Sequence, residues 1–163
     1  MPKQFFILPR YVAGNADPVR QGWGRTAMIR ISSAPFDGHP HQDKFEGIIE
    51  LDFDDISEKF YEEYIRSLQQ DEKPKVRPIS DEDADKIVQF AQHYSDVDTF
   101  VVHCDAGISR SSGVMLALCE TLFEQMDCAH DIMESGRFMP NATVIREIYR
   151  AYERLTGNKI TYE

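Results

Sequence analysis

One stretch of the chain brings together residue types able to do covalent chemistry on a phosphate: His103, Cys104, Asp105, Ala106, Gly107, Ile108, Ser109, Arg110 and Ser111. Its first residue ends a continuous apolar strand, Thr99 to His103, of the kind buried on both faces of a parallel sheet. After it comes a segment apolar nearly all round (Val114, Met115, Leu116, Ala117, Leu118, Leu122, Phe123), which reads as a helix from about Ser109 to Glu124 in the middle of a fold. A strand-to-helix turn curls successive backbone N–H groups into an anion-binding nest, and the helix N-terminus adds unpaired donors and a positive dipole end. Gly107 can take a positive φ and lets the turn close around a small anion. Arg110 can return a planar guanidinium fork to two phosphate oxygens. The same dipoles and cation would pull the Cys104 thiol below its free pKa of about 8.5. The turn therefore offers a nucleophile and an oxyanion clamp in one loop. A lone cysteine is usually inert packing. Here the strand, the glycine, the arginine and the helix supply the context that confirms a motif.

The rest of the chain must position that turn. Its 163 residues, 42% hydrophobic and 28% charged, suffice for one compact unit with its own core, so residues 1–163 are expected to form a single domain. No apolar run approaches the roughly 20 residues of a membrane helix, and the stretch from Met1 to Leu8 is too short for a signal peptide. A soluble, cytoplasmic protein is expected. Three cysteines (Cys104, Cys119, Cys128) without CxxC spacing argue against a disulfide scaffold or a zinc ribbon. A net charge of −10, with basic residues unclustered, disfavours nucleic acid and anionic membranes as partners. Any phosphate must then be captured by local geometry.

Short strands are expected at Gln4 to Leu8, Thr26 to Ile31 and Gly47 to Phe53, with Ile49, Leu51 and Phe53 on one face. Ser33 to Asp43 reads as a loop by its Pro and Gly content. Ile56, Phe60, Tyr61, Tyr64, Ile65 and Leu68 recur at helical spacing. Ser80 with Asp83 predicts a capping box opening a helix with the stripe Ala84, Ile87, Val88, Ala91, Tyr94. A shorter helix covers Met126 to Glu134, and Asn141 is a natural N-cap for a last helix with the stripe Val144, Ile145, Ile148, Tyr149, Tyr152, Leu155. Strands alternating with helices predict an α/β domain, a central mostly parallel sheet flanked by helices, with the cysteine loop between a strand and the central helix.

The spacing from His103 through Cys104, Gly107 and Arg110 to Ser111 resembles the signature of the cysteine-based protein tyrosine phosphatase superfamily. The segment from Phe100 to Ser112 is similar to its compact dual-specificity branch, particularly the small bacterial and phage-type members. Met28 to Ser33, Leu51 to Ile56, and Pro140 with Asn141 agree in order, so the likeness covers roughly residues 26 to 153. The resemblance implies that Cys104 attacks phosphorus to form a cysteinyl-phosphate. Arg110 and the backbone N–H groups of Asp105, Ala106, Gly107, Ile108, Ser109 and Arg110 hold the equatorial oxygens. Ser111 hydrogen-bonds the sulfur and helps it leave. His103 and Asn141 support the loop, though a packed strand-end histidine and a plain N-cap are equally bland alternatives. No metal or other cofactor is implied, because the loop supplies the charge stabilisation. The implied substrate is a phosphorylated protein or a small phosphomonoester, phosphotyrosine first. Relatives that act on nucleotides, RNA ends or phosphoinositides tend to carry lysines in the loop, whereas Asp105, Ile108 and Ser109 are acidic or neutral. A non-catalytic phosphate-binding module would lack the Cys, the Arg or an acid, and none is missing.

The leaving oxygen needs a proton, so a carboxyl group must face the loop. The family places this Asp after the preceding strand; here the sequence offers Asp54 and Asp55. Side chains alternate along a strand, so Leu51, Phe53 and Asp55 should point inward and Asp52 and Asp54 outward. Asp55 is thus expected as the acid, kept protonated by desolvation. Asp54 is the alternative and Asp71 a distant third. His39, His41 and Asp43 could suggest a metal cluster but lack a fourth ligand. Cys119 would lie roughly 13 Å along the helix from Cys104, beyond disulfide reach. Cys128 reads as a core cysteine.

Overall fold

The computed structural model describes residues 1–161. Four strands, β1 (Gln4–Pro9), β2 (Thr26–Ile31), β3 (Gly47–Leu51) and β4 (Thr99–Cys104), form one sheet in the order β1-β4-β2-β3. Every pairing is parallel. The central strands β2 and β4 are buried at every residue, as their continuous apolar runs require when both sheet faces are covered. The register sets Pro9 beside Cys104 and Arg30 beside His103, so three strands end together where the cysteine turn begins. Ligand sites of parallel sheets form at such carboxyl ends.

One face of the sheet is covered by α3 (Asp81–His93), α4 (Arg110–Glu120) and α6 (Ala142–Thr156), and α5 (Met126–Glu134) packs on α4. Their apolar stripes meet Phe100, Val102, Ile29 and Phe53 in the main core. α4 is buried from Arg110 to Cys119, which fits a segment apolar on all sides. The opposite face carries a smaller cluster of Trp23, Met28, Phe45 and Val101. It lies under the short helix α1 (Arg10–Ala13) and the segments that follow β1 and β2, including a 3₁₀ turn at Gln42–Lys44. Neither the short helix nor the turn has a periodic signature in the sequence.

Two elements end earlier than expected, and a third lies on the surface. β3 stops at Leu51 rather than Phe53, because Asp54 turns away toward Arg77: its N–H donates to Arg77 O (2.8 Å) and its Oδ2 accepts from Arg77 N–H (2.8 Å). α4 stops at Glu120 rather than Glu124: Thr121 turns the chain, its Oγ1 donating to the Ala117 carbonyl (2.7 Å), and Glu124 adopts a positive φ. Phe123 is nevertheless buried, so the apolar pattern marked core beyond the helix. The helix α2 (Glu58–Ser67) buries no residue, and Phe60 is 61% exposed. Its stripe is real in period yet lies on the surface. Its start is fixed by the Ser57 cap on Phe60 N–H, by Thr143 Oγ1 accepting from Glu58 N–H (3.1 Å), and by the Arg146–Glu58 ion pair.

The predicted capping box at α3 forms: Ser80 Oγ accepts from Asp83 N–H (3.1 Å) and Asp83 Oδ2 from Ser80 N–H (3.0 Å). Arg77 Nη1 also donates to the buried Asp83 carboxylate (2.6 Å). Burial pushes that carboxyl up, but the Arg77 and Ser80 hydrogen bonds outweigh it and hold its pKa below the usual carboxylate value. A depressed native pKa contributes stability above the unfolded pKa of about 4, lost as pH falls through the native value. Asp83→Asn should therefore cost about 1–2 kcal/mol near neutral pH. Urea denaturation should show the gap closing as the pH falls below about 4. A gap independent of pH would contradict the ionic role.

Candidate active site

β4 delivers Cys104 to the carboxyl edge of the sheet, and α4 starts at Arg110 after a five-residue turn. Gly107 has φ +71°, and a Cβ there would sit 2.6 Å from Pro9 N and 2.7 Å from Leu8 C. The glycine is needed for its conformation and also because the turn is pressed against the end of β1. Arg10 N–H donates to Asp105 O (3.2 Å), fastening the same contact. On the far side Met139 N–H reaches Ile108 O (3.0 Å) and Asn141 N–H reaches Ser109 O (3.1 Å).

Inside the turn the Cys104 sulfur is buried, accepts from Gly107 N–H (3.3 Å) and lies 3.1 Å from Ser111 Oγ. Burial raises its pKa, but the Ser111 hydroxyl and the N–H groups of Ser111, Gly107 and Ile108 outweigh it and hold the thiol below its ordinary value. Ala106 and Ile108 are exposed on the outer rim of the turn.

Arg110 is 6% exposed. Its Nη1 donates to Phe53 O (3.0 Å) and Ser33 Oγ (3.1 Å), and its Nη2 to Asp105 Oδ2 (2.9 Å). A guanidinium has five N–H bonds. Three are spent on the protein, and Nε–H with the remaining Nη2 hydrogen has no partner among the described residues. That pair forms the side-on fork, the geometry that grips two oxygens of one phosphate.

Of the acid candidates, Asp55 faces the turn: its Oδ1 accepts from Ser109 Oγ (2.7 Å) and Asn141 Nδ2 (2.8 Å). It is exposed, not desolvated as expected, because β3 ends early and Asp55 sits in a bend outside the sheet. Asp54 instead accepts from Arg77 N–H (2.8 Å), tying two loops together. Asp71 lies in the exposed segment after α2 and makes no hydrogen bond to the turn among the described residues. Asn141 does both things weighed for it. Its Oδ1 caps α6 at Thr143 N–H (2.9 Å) and Val144 N–H (3.1 Å) while its Nδ2 holds Asp55.

His103 is fully buried, and Arg30 Nε donates to its Nε2 (3.0 Å), which leaves the ring proton on Nδ1, facing Cys104 O (3.3 Å). Burial drives its pKa down to about 4, helped by the charges of Arg30 and Arg10 against the Cys104 hydrogen bond. It is a neutral strut over the working pH range. Arg30 also donates to Gly38 O (3.0 Å) and pairs with Glu50 (3.1 Å). Phe36 lies between the guanidinium groups of Arg10 and Arg30, at 4.4 and 4.2 Å. Arg10, Arg30, Ser32, Ser33 and Phe36 were not foreseen. A charged Arg30 inside an otherwise buried strand was the one available signal.

His39 is committed elsewhere: Nδ1 accepts from His41 N–H (3.0 Å) and Nε2 reaches Ala13 O (2.8 Å). No group of three metal-ligating side chains occurs among the described residues. Cys119 and Cys128 are free thiols whose mutual interaction raises the pKa of buried Cys119 and lowers that of Cys128. No helix of the described residues is long and apolar enough to cross a membrane.

No protein-family model matches the chain, and no curated protein sequence matches it. Solved structures do. DUSP15 aligns with a TM-score of 0.62 at 16% identity, over 97% of this chain and 93% of that one. The phosphatase domain of Yvh1 from Chaetomium thermophilum gives 0.55 at 14% identity, over 94% and 91%. The human tyrosine phosphatase-like serine/threonine/tyrosine-interacting protein gives 0.51 at 23% identity, over 94% and 93%. The fold is the one shared by tyrosine-phosphatase-like and dual-specificity-phosphatase-like proteins. Within the phosphatase fold of this chain, the turn after β4 is the place where a thiol, a guanidinium fork and a carboxylate converge.

The thiol environment has a direct readout. The rate of Cys104 alkylation by iodoacetate should rise with a midpoint below the ordinary thiol pKa of about 8.5. Ser111→Ala removes a hydrogen bond that favours the thiolate, so its midpoint should move up. Peptide mapping separates Cys104 from the other thiols. An unchanged midpoint in Ser111→Ala would show that the hydroxyl does not stabilise the anion.

Proposed function

We propose that the chain is a single-domain, metal-independent cysteine phosphatase of the compact dual-specificity type, acting on phosphomonoesters and foremost on phosphotyrosine in proteins. The observation that carries this reading is the free side-on edge of Arg110, pinned by three partners in the same turn that holds a thiolate-favouring Cys104. A phosphoryl dianion placed on that fork and the nest brings phosphorus to the sulfur. Cys104 Sγ forms the S–P bond as the P–O bond of the ester breaks. Asp55 gives its proton to the departing oxygen; Oδ1 is held by Ser109 and Asn141, so Oδ2, without a partner among the described residues, is the oxygen that delivers it. Water, deprotonated by the resulting carboxylate, then attacks phosphorus, and the sulfur leaves as a thiolate that Ser111 stabilises. The loop supplies the charge stabilisation that a metal supplies elsewhere. A non-catalytic phosphate-binding module is the rival, and the assembled Cys104, Arg110 and Asp55 favour the enzyme.

Hydrolysis of an aryl phosphate should proceed in EDTA, be inhibited by vanadate, and be lost in Cys104→Ser. Turnover that needs added Mg²⁺ or Zn²⁺, or that survives in Cys104→Ser, would sink the mechanism. A second comparison assigns the acid. Asp55→Asn should slow a substrate with a poor, alkoxide-like leaving group by two or more orders of magnitude, within the usual range of about 10²–10⁴ for a general acid. An activated aryl phosphate should be slowed far less. Asp54→Asn should lower thermal stability and leave this leaving-group dependence intact; the reverse order would make Asp54 the acid.

A further inference from the structure

Resting on that reading, we propose that Asp105 determines what the loop accepts: it aims the Arg110 fork and disfavours substrates that carry a second phosphate beside the reacting one. The chemistry above does not use this carboxylate, yet it is held by as many hydrogen bonds as Arg110. Ser32 Oγ donates to its Oδ1 (2.5 Å), and Ser33 N–H (3.2 Å) and Arg110 Nη2 (2.9 Å) donate to its Oδ2. Ser32 is in turn held by Arg10 Nη1 (2.7 Å), which also reaches Ala34 O (3.1 Å), while Arg10 Nη2 reaches Pro35 O (2.8 Å).

Two consequences follow. Asp105 takes one Nη2 hydrogen of Arg110 while Nη1 is doubly engaged by Ser33 and Phe53, so the donors left over are Nε–H and one Nη2 hydrogen. It also leaves a fixed negative charge, its side chain 40% exposed, at the rim of the phosphate cradle. Burial raises its pKa, but the hydrogen bonds from Ser32, Ser33 and Arg110 outweigh that and keep it below the usual carboxylate value, so the charge is present at every working pH. One phosphate is compensated by Arg110 and the N–H groups. A second, reaching past the cradle, meets the fixed charge of Asp105. No other residue from Ala106 to Ser109 carries charge. Arg10 is occupied by Ser32 and two carbonyls, and Arg30 by Glu50, Gly38 and His103. No uncommitted cation flanks the cradle among these residues.

The test compares inorganic phosphate with pyrophosphate by calorimetry on Cys104→Ser protein, alone and combined with Asp105→Asn or Asp105→Ser. Removing the charge should shift the affinity ratio toward pyrophosphate by about tenfold at low salt, and by less at 0.15 M or above, where screening shortens its reach. In active protein the same substitutions should lower kcat for a simple aryl monoester about tenfold or more, as the fork loses its aim. Meanwhile kcat/KM for a vicinal bisphosphate should fall less. An unchanged phosphate-to-pyrophosphate ratio in both variants, with melting temperature and phosphate binding preserved, would overturn the proposal. So would a loss of binding to both anions in equal proportion, which is what a merely structural role predicts. A shifted ratio in protein that hydrolyses nothing would sustain Asp105 as the selector and refute the phosphatase reading.

Discussion

Everything at the active end depends on one tight contact, the backbone of Gly107 laid against the end of β1. With no side chain there, the turn can close far enough for the N–H groups of Gly107, Ile108 and Ser111 to converge on a single sulfur. The parallel register brings Pro9 alongside Cys104 and so fixes where the contact falls. α4 is buried along its length and cannot shift to relieve it. The sheet, the helix and the glycine thus fix the turn jointly. Such preorganisation is what makes fixed dipoles effective on a developing charge.

Around the turn, charges are placed singly and then neutralised. Arg110 is tied to Asp105, Arg30 to Glu50 and His103, and Arg77 to Asp83 and Asp52. In a chain of net charge −10, capture of a phosphate by long-range attraction is not available. On the proposed reading, recognition comes from the Arg110 edge and the nest, at contact range. His103, neutral and buried, passes the rigidity of Arg30 to the backbone carbonyl of Cys104 rather than contributing a proton.

The parts of this arrangement legible in the sequence are those written as local patterns. Thr99 to His103 announced a central strand, Ser80 with Asp83 a capped helix, and the spacing of Cys104, Gly107 and Arg110 a tight strand-to-helix turn. Asp55 was named for its alternation with Leu51 and Phe53. It does face the turn, but through hydrogen bonds to Ser109 and Asn141 in an exposed bend, so the reasoning about desolvation failed. The helix α2 shows the limit of periodicity, since its apolar stripe buries no residue. Arg10, Ser32, Ser33 and Phe36 were invisible because their roles arise from β1 and the loop after β2 meeting at the end of β4, contacts between segments far apart in sequence.

The central claim is that Cys104 becomes covalently phosphorylated within the turn. Rapid acid quench during turnover of an aryl phosphate, followed by peptide mass analysis, tests it most directly. The account predicts that one phosphoryl group appears on the peptide containing Cys104. It should accumulate further in Ser111→Ala, where departure of the sulfur is slowed. Product release accompanied by a phosphoryl group on another residue, or by none on Cys104 even when Ser111 is replaced, would contradict it.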